Sequence, residues 1–194
     1  MIAEAKRQGR KPRVHGNGFL QLDLDDVRRF HIWGHPLIPA QKTPTPIHDH
    51  TFTFESEVIV GVMVNDLFRY EVTSPNRFTH RVYRAQVREG EDTMLVAENA
   101  WDSWGELKFL GRHELLPGAS YTLTPEAIHE SSVKGLTLTV ITKHGKTLSQ
   151  GGSSPRVFVP KGVEPDNSFH RTTAMSPSAM DQVFQEAYRA MGFV

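Results

Sequence analysis

Residues 46–61 read PIHDHTFTFESEVIVG, in which His48 and His50 precede an alternating run of aromatic, polar and β-branched residues. Such alternation is typical of a β-strand, where residues two apart leave the same face. His48 and His50 would then project side by side and reach one ion. Two neutral imidazoles on a rigid strand suit Fe, Zn, Ni, Cu or Mn.

A third ligand is needed, because two histidines alone hold a metal weakly. His129 is the best candidate: it lies in LTPEAIHESS, just after the turn-forming Pro125 and before another strand-like segment. An antiparallel roll brings such a position beside the strand of His48. The sequence therefore predicts one divalent metal ion bound by His48, His50 and His129.

The segments around these histidines have strand character. Residues 19–24, FLQLDL, alternate three leucines with Phe19, Gln21 and Asp23. This alternation predicts a β-strand with the leucines on one face and the other three residues on the opposite face. Further segments rich in β-branched and aromatic residues are RFHIW, VNDLFRYEV, HRVYRAQV, TMLVAE, ELKFLGRHEL, SYTLT, AIHESSV and LTLTVIT. Many short strands without a long helical period predict an all-β antiparallel sandwich or barrel.

Composition divides the chain into four parts of one domain. Residues 1–18 are basic and are expected to form a flexible tail, and residues 19–144 form the barrel. Residues 145–175 are rich in Gly, Ser and Pro and are expected to make a surface excursion. Residues 176–192 are expected to form one amphipathic helix packed on the barrel or on a second subunit.

The C-terminal helix is predicted from its signals. Ser176 is a good N-cap, Pro177 suits the first helical position, and Gly192 supplies a stop. Between them the apolar residues recur at helical spacing, at Met180, Val183, Phe184, Ala187 and Met191.

Composition also limits the function classes. The chain has no cysteine, which excludes disulfides, thiolate nucleophiles and cysteine-ligated metals. Lys plus Arg number 22 against 22 Asp plus Glu, and no recognition helix or basic stripe indicates nucleic-acid binding. No apolar run has the length of a signal peptide or membrane span, so a cytoplasmic location is expected.

The two histidine motifs resemble those of the cupin superfamily. The match consists of His48, His50, Glu55 and Gly61, followed by Gly118, Pro125 and His129, within residues 47–142. The resemblance implies a cupin-type jelly-roll barrel with a metal at its centre and Glu55 as a possible fourth ligand.

This sequence departs from the cupin pattern at two positions. The usual spacing puts the family's Glu at position 54, where Phe54 stands, and Ala127 occupies a turn position that tends to be glycine. On a regular strand Glu55 faces away from His48 and His50, so it ligates only if a β-bulge re-aims it. Without Glu55, a three-histidine site resembles that of the thiol dioxygenases, although their Ser–His–Tyr trio is absent.

Other candidate residues lie on strands predicted to line the barrel. Arg69 and Arg81 are candidates for binding a small anionic substrate, because a guanidinium group can donate two parallel hydrogen bonds to a carboxylate. Because neighbouring residues of a strand face opposite sides, the residues that line the cavity are either Arg69 with Arg81 and Tyr83, or Tyr70. His113, whose strand leads into the second motif, is the remaining candidate for the same cavity.

Three functions fit these residues. The first is a mononuclear Fe(II)-dependent oxygenase acting on a small polar molecule, with Zn, Ni, Mn or Cu as other possible metals. The second is a metal-dependent isomerase, epimerase or lyase on a sugar or small acid, with His113 or Tyr83 as its base. The third is a non-enzymatic ligand-binding module. A homodimer is expected from the edge strands and the final helix.

Overall fold

The computed structural model describes residues 2–40, 43, 45–87, 92–97, 103–145, 154–165, 169–170, 172–173 and 175–193. The elements of its first half are α1 Ile2–Arg7, β1 Arg13–His15, β2 Phe19–Asp23, β3 Arg28–Trp33, β4 Thr53–Val60, β5 Met63–Val72, β6 His80–Val87 and β7 Asp92–Ala97. Those of its second half are β8 Trp104–Leu115, β9 Ser120–Leu123, β10 Ile128–Val133, β11 Thr137–His144, β12 Arg156–Pro160, β13 Phe169–His170, β14 Thr172–Thr173 and α2 Pro177–Ala190.

These strands form two sheets, and every described pairing is antiparallel. The first sheet has the order β14-β1-β2-β3-β11-β4-β9, and the second has the order β10-β5-β8-β6-β7-β13 with β12 also paired to β6. Strands distant in sequence are therefore neighbours, as β3, β11 and β4 are. The all-β prediction is confirmed, and the arrangement is consistent with a cupin-like jelly roll.

Part of the second sheet closes into a ring through His48. This residue bridges to His129 on β10 and to Val157 on β12, while β12 pairs with β6 at the other side. His48 and His129 exchange two backbone hydrogen bonds, of 3.1 and 3.0 Å. The segment around His48 thus acts as a short extra strand between β10 and β12.

The inside of this ring is apolar. It is filled by one cluster that includes Ile47, Phe68, Tyr70, Val82, Leu107, Ile128 and Phe158. Because neighbouring residues of an extended chain point to opposite sides, the inward position of Ile47 and Ile128 directs His48 and His129 outward. The two histidines consequently face the first sheet.

The two faces of the first sheet differ in polarity. Its outer face packs against both helices in the largest apolar cluster, which includes Ile2, Ala5, Leu20, Leu22, Ile32, Leu138, Val183, Phe184 and Ala187. The inner face carries buried polar side chains, among them Gln21, His31, Ser56 and Thr139. Apolar packing therefore stabilises the sheet from outside, and the surface facing the second sheet mixes these polar residues with aromatic ones such as Phe19 and Phe54.

Helix α2 confirms the C-terminal helix that the sequence predicted. Ser176 has an extended conformation, and its hydroxyl accepts a hydrogen bond from the Ala179 amide at 3.2 Å. His35, after β3, contacts Glu186 on α2 through Nε2 and Oε2 at 2.9 Å. None of the described helices has the length and apolar character needed to span a membrane.

The chain before Phe19 differs from the expected flexible tail. Residues Ile2–Arg7 form α1, and Ile2 and Ala5 are buried in the apolar cluster under the first sheet. The Lys6 ammonium lies 4.0 Å from the centre of the Phe184 ring. Ile2 and Ala5 share the apolar cluster with Leu20 and Leu22 of β2 and with residues of α2, so the burial of α1 depends on tertiary packing that the local sequence does not show.

The expected surface excursion over residues 145–175 also differs from the structure where it is described. Residues Arg156–Pro160 form β12, in which Phe158 and Val159 are 0% and 1% exposed. The Gly, Ser and Pro content of the surrounding residues obscures this short buried strand. Residues 146–153, 166–168, 171 and 174 lie outside the described part of the chain.

Candidate metal centre

The structure brings His48, His50 and His129 together. One ring nitrogen from each lies within 4.8 Å of the others. The ring centroids are 4.8 Å apart for His48 and His50, 4.6 Å for His48 and His129, and 5.1 Å for His50 and His129. Because metal–nitrogen bonds are about 2.1 Å long, small side-chain rotations are enough to close this group on one ion.

Backbone contacts hold the three histidines in place. His48 pairs directly with His129, and the His50 carbonyl accepts a hydrogen bond of 3.0 Å from the Glu126 amide. Glu126 has a positive φ of 67°, a conformation that residues other than glycine rarely adopt. The turn before β10 is thus held in a strained shape that joins it to the His50 segment.

Backbone carbonyls also select the ring tautomers. The Nδ1 atom of His48 lies 2.7 Å from the Pro46 carbonyl oxygen, and that of His129 lies 3.2 Å from the Ala127 carbonyl oxygen. A carbonyl only accepts, so in each ring Nδ1 carries the proton and donates it. The Nε2 lone pair of each neutral ring is then available, as in many metal sites.

Burial keeps all three rings neutral. It lowers the pKa of His129 to about 3, with a further contribution from His48. Burial also lowers the pKa of His50 well below 6.5, and His48 and His129 add to this effect. The pKa of His48 is lowered by burial and partly restored by the Pro46 carbonyl and Asp49. A neutral imidazole is the form that binds a metal.

Asp49, between the two ligand candidates, points away from them and anchors their segment. Its side chain is 3% exposed, and its two carboxylate oxygens accept hydrogen bonds of 2.6 Å from the Arg156 amide and from Arg156 Nε. The Asp49 amide in turn donates to the Arg156 carbonyl at 3.0 Å. Burial raises the pKa of Asp49, and the contacts with Arg156 oppose that rise.

Sequence reasoning missed the role of Asp49. The available signal was its position between His48 and His50. On an extended segment, the residue between two side chains that face the metal points to the opposite side. Its partner Arg156 lies 107 positions later, in the segment expected to be a surface excursion. The sequence therefore contained a hint of a buried carboxylate but none of its partner.

Aromatic rings line the first-sheet side of the site. The Phe54 ring lies 4.9 Å from His50 and 6.3 Å from His129, and Tyr121 lies 6.2 Å from Phe54. The Phe52 ring is 5.3 Å from His50. The prediction that Phe54, not a carboxylate, neighbours His50 on the inner face is confirmed. An aromatic shell of this kind restricts water and lowers the local dielectric constant.

Glu55 does not join the three histidines, which corrects its assignment as a possible fourth ligand. It is exposed on the outer face of β4, with one carboxylate oxygen 3.7 Å from His144 Nε2. The pairing of β4 with β11 is regular from Thr53 to Val58, so no bulge turns Glu55 inward. Strand alternation therefore holds its carboxylate on the face of the sheet away from the three histidines.

The two candidate bases lie away from the histidine group. His113 is exposed on β8, opposite Asn65 in register. Tyr83 is buried and packs with Leu95 and Val159. The register places Tyr83 on the same face as His48, with Val157 between them. Two strand spacings, roughly 10 Å of backbone, separate Tyr83 from His48.

The two candidate arginines have other neighbours. Arg69 is exposed and forms an ion pair with Glu71 on its own strand. The Arg81 guanidinium lies 5.5 Å from the centre of the Tyr83 ring and 5.6 Å from that of Trp104.

Comparison with known proteins gives little further information. No protein-family model and no curated protein matches the chain. A similar solved structure is hydroquinone 1,2-dioxygenase from Sphingomonas sp. TTNP3 with 4-hydroxybenzoate bound, with a TM-score of 0.32 and 10% identity. The match covers 64% of this chain and 63% of that chain, which is less than two thirds of its length. At this TM-score the likeness carries no argument about activity.

Metal content tests the assignment of the three histidines. Untagged wild-type protein should bind about one equivalent of divalent metal by elemental analysis, and His129→Ala should bind less than about a tenth, because one of three nitrogen donors is lost. His144→Ala and Glu55→Gln, on the outer face, are matched controls expected to keep the wild-type content. Full metal content in folded His129→Ala would place the third ligand elsewhere.

The anchoring role of Asp49 predicts a loss of metal affinity without loss of any ligand. Asp49→Ala should weaken binding about 10- to 100-fold in a metal-competition titration, because the His48 and His50 segment loses its tie to β12. Asp25→Ala is the control, since Asp25 also binds an arginine, Arg28, but at the surface. Wild-type affinity in folded Asp49→Ala would contradict an anchoring role.

The low pKa of His129 predicts that metal-free protein loses stability in acid. Below about pH 6.5 the unfolded chain takes up a proton at His129 that the folded chain does not bind until about pH 3. The free energy of unfolding should therefore fall as the pH falls through this window, by up to about 1.4 kcal/mol per pH unit for this residue. His129→Gln should reduce the slope measured by urea denaturation at several pH values. Parallel curves for the two proteins would contradict this.

Proposed function

We propose that this protein is a mononuclear, metal-dependent oxygenase of cupin-like fold, with Fe(II) as the favoured metal and a small polar molecule as substrate. The observation that supports this proposal most strongly is the group of three neutral histidines whose nitrogens lie within 4.8 Å of one another. Among the described residues no carboxylate joins this group, so several coordination positions would be left for substrate and dioxygen.

The donor set fits such a metal. His48 and His129 each present Nε2 because a backbone carbonyl accepts the proton of Nδ1. Imidazole nitrogens suit Fe(II), and they also suit Zn, Ni, Cu and Mn. When bound, an iron ion with open positions supplies the dioxygen chemistry that no side chain of this protein can perform.

The chain itself would position the substrate and limit water. Phe52 and Phe54 shield the ligand rings on the first-sheet side, and the Asp49–Arg156 pair fixes the segment that carries His48 and His50. The pKa values of the three histidines are lowered by burial, which disfavours protonation in competition with the metal. These residues prepare a partly enclosed site with fixed ligands.

The isomerase, epimerase or lyase alternative has less support. It needs a base close to the metal, and its two candidates are the exposed His113 and Tyr83, which packs in an apolar cluster with Leu95 and Val159. A non-enzymatic ligand-binding module would need only the enclosed site. Oxygen chemistry is the test that separates it from the proposed oxygenase.

Binding of nitric oxide to the Fe(II)-loaded protein tests the proposal without knowledge of the substrate. Nitric oxide occupies the open positions that dioxygen would use, so wild-type protein should give the electron paramagnetic resonance signal of a high-spin iron–nitrosyl complex. Oxygen consumption with a panel of small thiols and diketones then tests for turnover. His50→Ala should abolish both signals, and Glu55→Gln should retain both.

Two results would overturn the proposal. The first is Fe(II)-loaded wild-type protein that gives no nitrosyl signal, which would mean that no coordination position is open. The second is wild-type protein that binds zinc at one equivalent but does not retain Fe(II) supplied alone without oxygen, which would favour the isomerase or binding-module alternatives.

A further inference from the structure

The three candidate ligands differ in what holds their rings. The Nδ1 atoms of His48 and His129 lie 2.7 and 3.2 Å from backbone carbonyl oxygens. In the described part of the chain, the His50 ring contacts other rings but forms no hydrogen bond. A hydrogen bond at the second nitrogen normally orients a metal-binding imidazole. The orientation of His50 therefore needs another source.

The backbone at His50 does not supply that orientation. The His50 carbonyl accepts one hydrogen bond of 3.0 Å from the Glu126 amide, whereas His48 and His129 exchange two backbone hydrogen bonds. A bond to the carbonyl fixes the position of the main chain, but the side chain can still rotate about its own two torsions. Contacts with the ring itself must therefore set its direction.

Two phenylalanine rings make such contacts. The Phe54 ring centre lies 4.9 Å from that of His50, with an angle of 85° between the planes. The Phe52 ring centre lies 5.3 Å from that of His50, at an angle of 50°. An edge-to-face pair at the distance of Phe54 has the geometry that aromatic rings favour. Phe54 is thus the neighbour best placed to orient His50.

The Phe54 ring is itself held by the first sheet. It is 3% exposed and lies on β4, opposite Leu123 on β9 and Lys143 on β11. The Tyr121 ring, also on β9, lies 6.2 Å from it. Phe52, by contrast, precedes β4 and is only partly buried. Phe54 therefore has an orientation that does not depend on the segment of His50, and it can impose one on the imidazole.

We propose that Phe54 is a positioning residue, whose ring directs the His50 imidazole toward His48 and His129. It replaces the hydrogen bond that orients each of the other two rings. A residue of the first sheet thereby completes a metal site whose other two ligands pair within the second sheet. This inference rests on the proposed function, because the ion held by the three rings would be the metal of the oxygenase.

Histidine ring signals of the full-length, metal-free protein test the inference directly. Long-range proton–nitrogen NMR of wild-type protein should show one sharp set of ring signals for each of the three histidines. In Phe54→Leu the signals of His50 should broaden or double. Those of His48 and His129 should stay as in wild type, since their carbonyl partners remain. A general loss of packing would instead change all three.

Zinc affinity provides the second measurement, because mutation of a group that orients a ligand weakens metal binding. In a competition titration Phe54→Leu should bind Zn²⁺ about tenfold more weakly than wild type. Phe54→Tyr keeps the ring and should retain most of the affinity. Phe30→Leu is the matched control, since Phe30 is 2% exposed but packs in the apolar cluster on the outer face of the first sheet. It should lower the urea midpoint of unfolding and leave zinc affinity unchanged.

Either of two results with folded Phe54→Leu would overturn the inference: wild-type zinc affinity, or His50 signals as sharp as in wild type. Doubled or broadened His50 signals in the wild-type protein would also overturn it, and that measurement does not depend on the folding of a variant. Sharp His50 signals in Phe54→Leu with an intact iron–nitrosyl signal in wild type would defeat this inference and leave the oxygenase proposal standing. Mobile His50 and weakened zinc binding in Phe54→Leu, without a nitrosyl signal in wild type, would do the reverse.

Discussion

The double backbone pairing of His48 is the constraint on which the site depends. By bridging His129 on one side and Val157 on the other, it closes the ring of the second sheet and places two candidate ligands next to each other. The same extended backbone turns Ile47 into the apolar interior and Asp49 toward Arg156. Ring closure, core packing and ligand placement are thus consequences of one short segment.

Two apolar clusters lie on the far sides of the two sheets. One cluster fills the ring behind His48 and His129, and the largest cluster joins the outer face of the first sheet to α1 and α2. Because these clusters stabilise the fold from outside, the surfaces between the sheets can carry histidine, serine, threonine and asparagine. The cost of burying such groups is accepted where a metal or a ligand can satisfy them.

Several features of the site could be predicted from local patterns. Strand alternation put Phe54 on the inner face and Glu55 on the outer one, and the structure has both in those positions. Turn chemistry at Pro125 placed His129 at the start of β10. The burial of α1 and of β12 could not be predicted, because α1 packs into an apolar cluster that joins β2 to α2, and β12 pairs with β6. Neither contact leaves a signal in the local sequence.

The sequence by itself determined the all-β class, the C-terminal helix and the three histidines as a candidate group, since each follows from a period or a motif a few residues long. Only the tertiary structure decided that these histidines meet and that Asp49 binds Arg156. The physical reason is that alternation sets which side of a strand a residue occupies. Which strands become neighbours depends on pairings between segments about a hundred residues apart, and those pairings decide what each side meets.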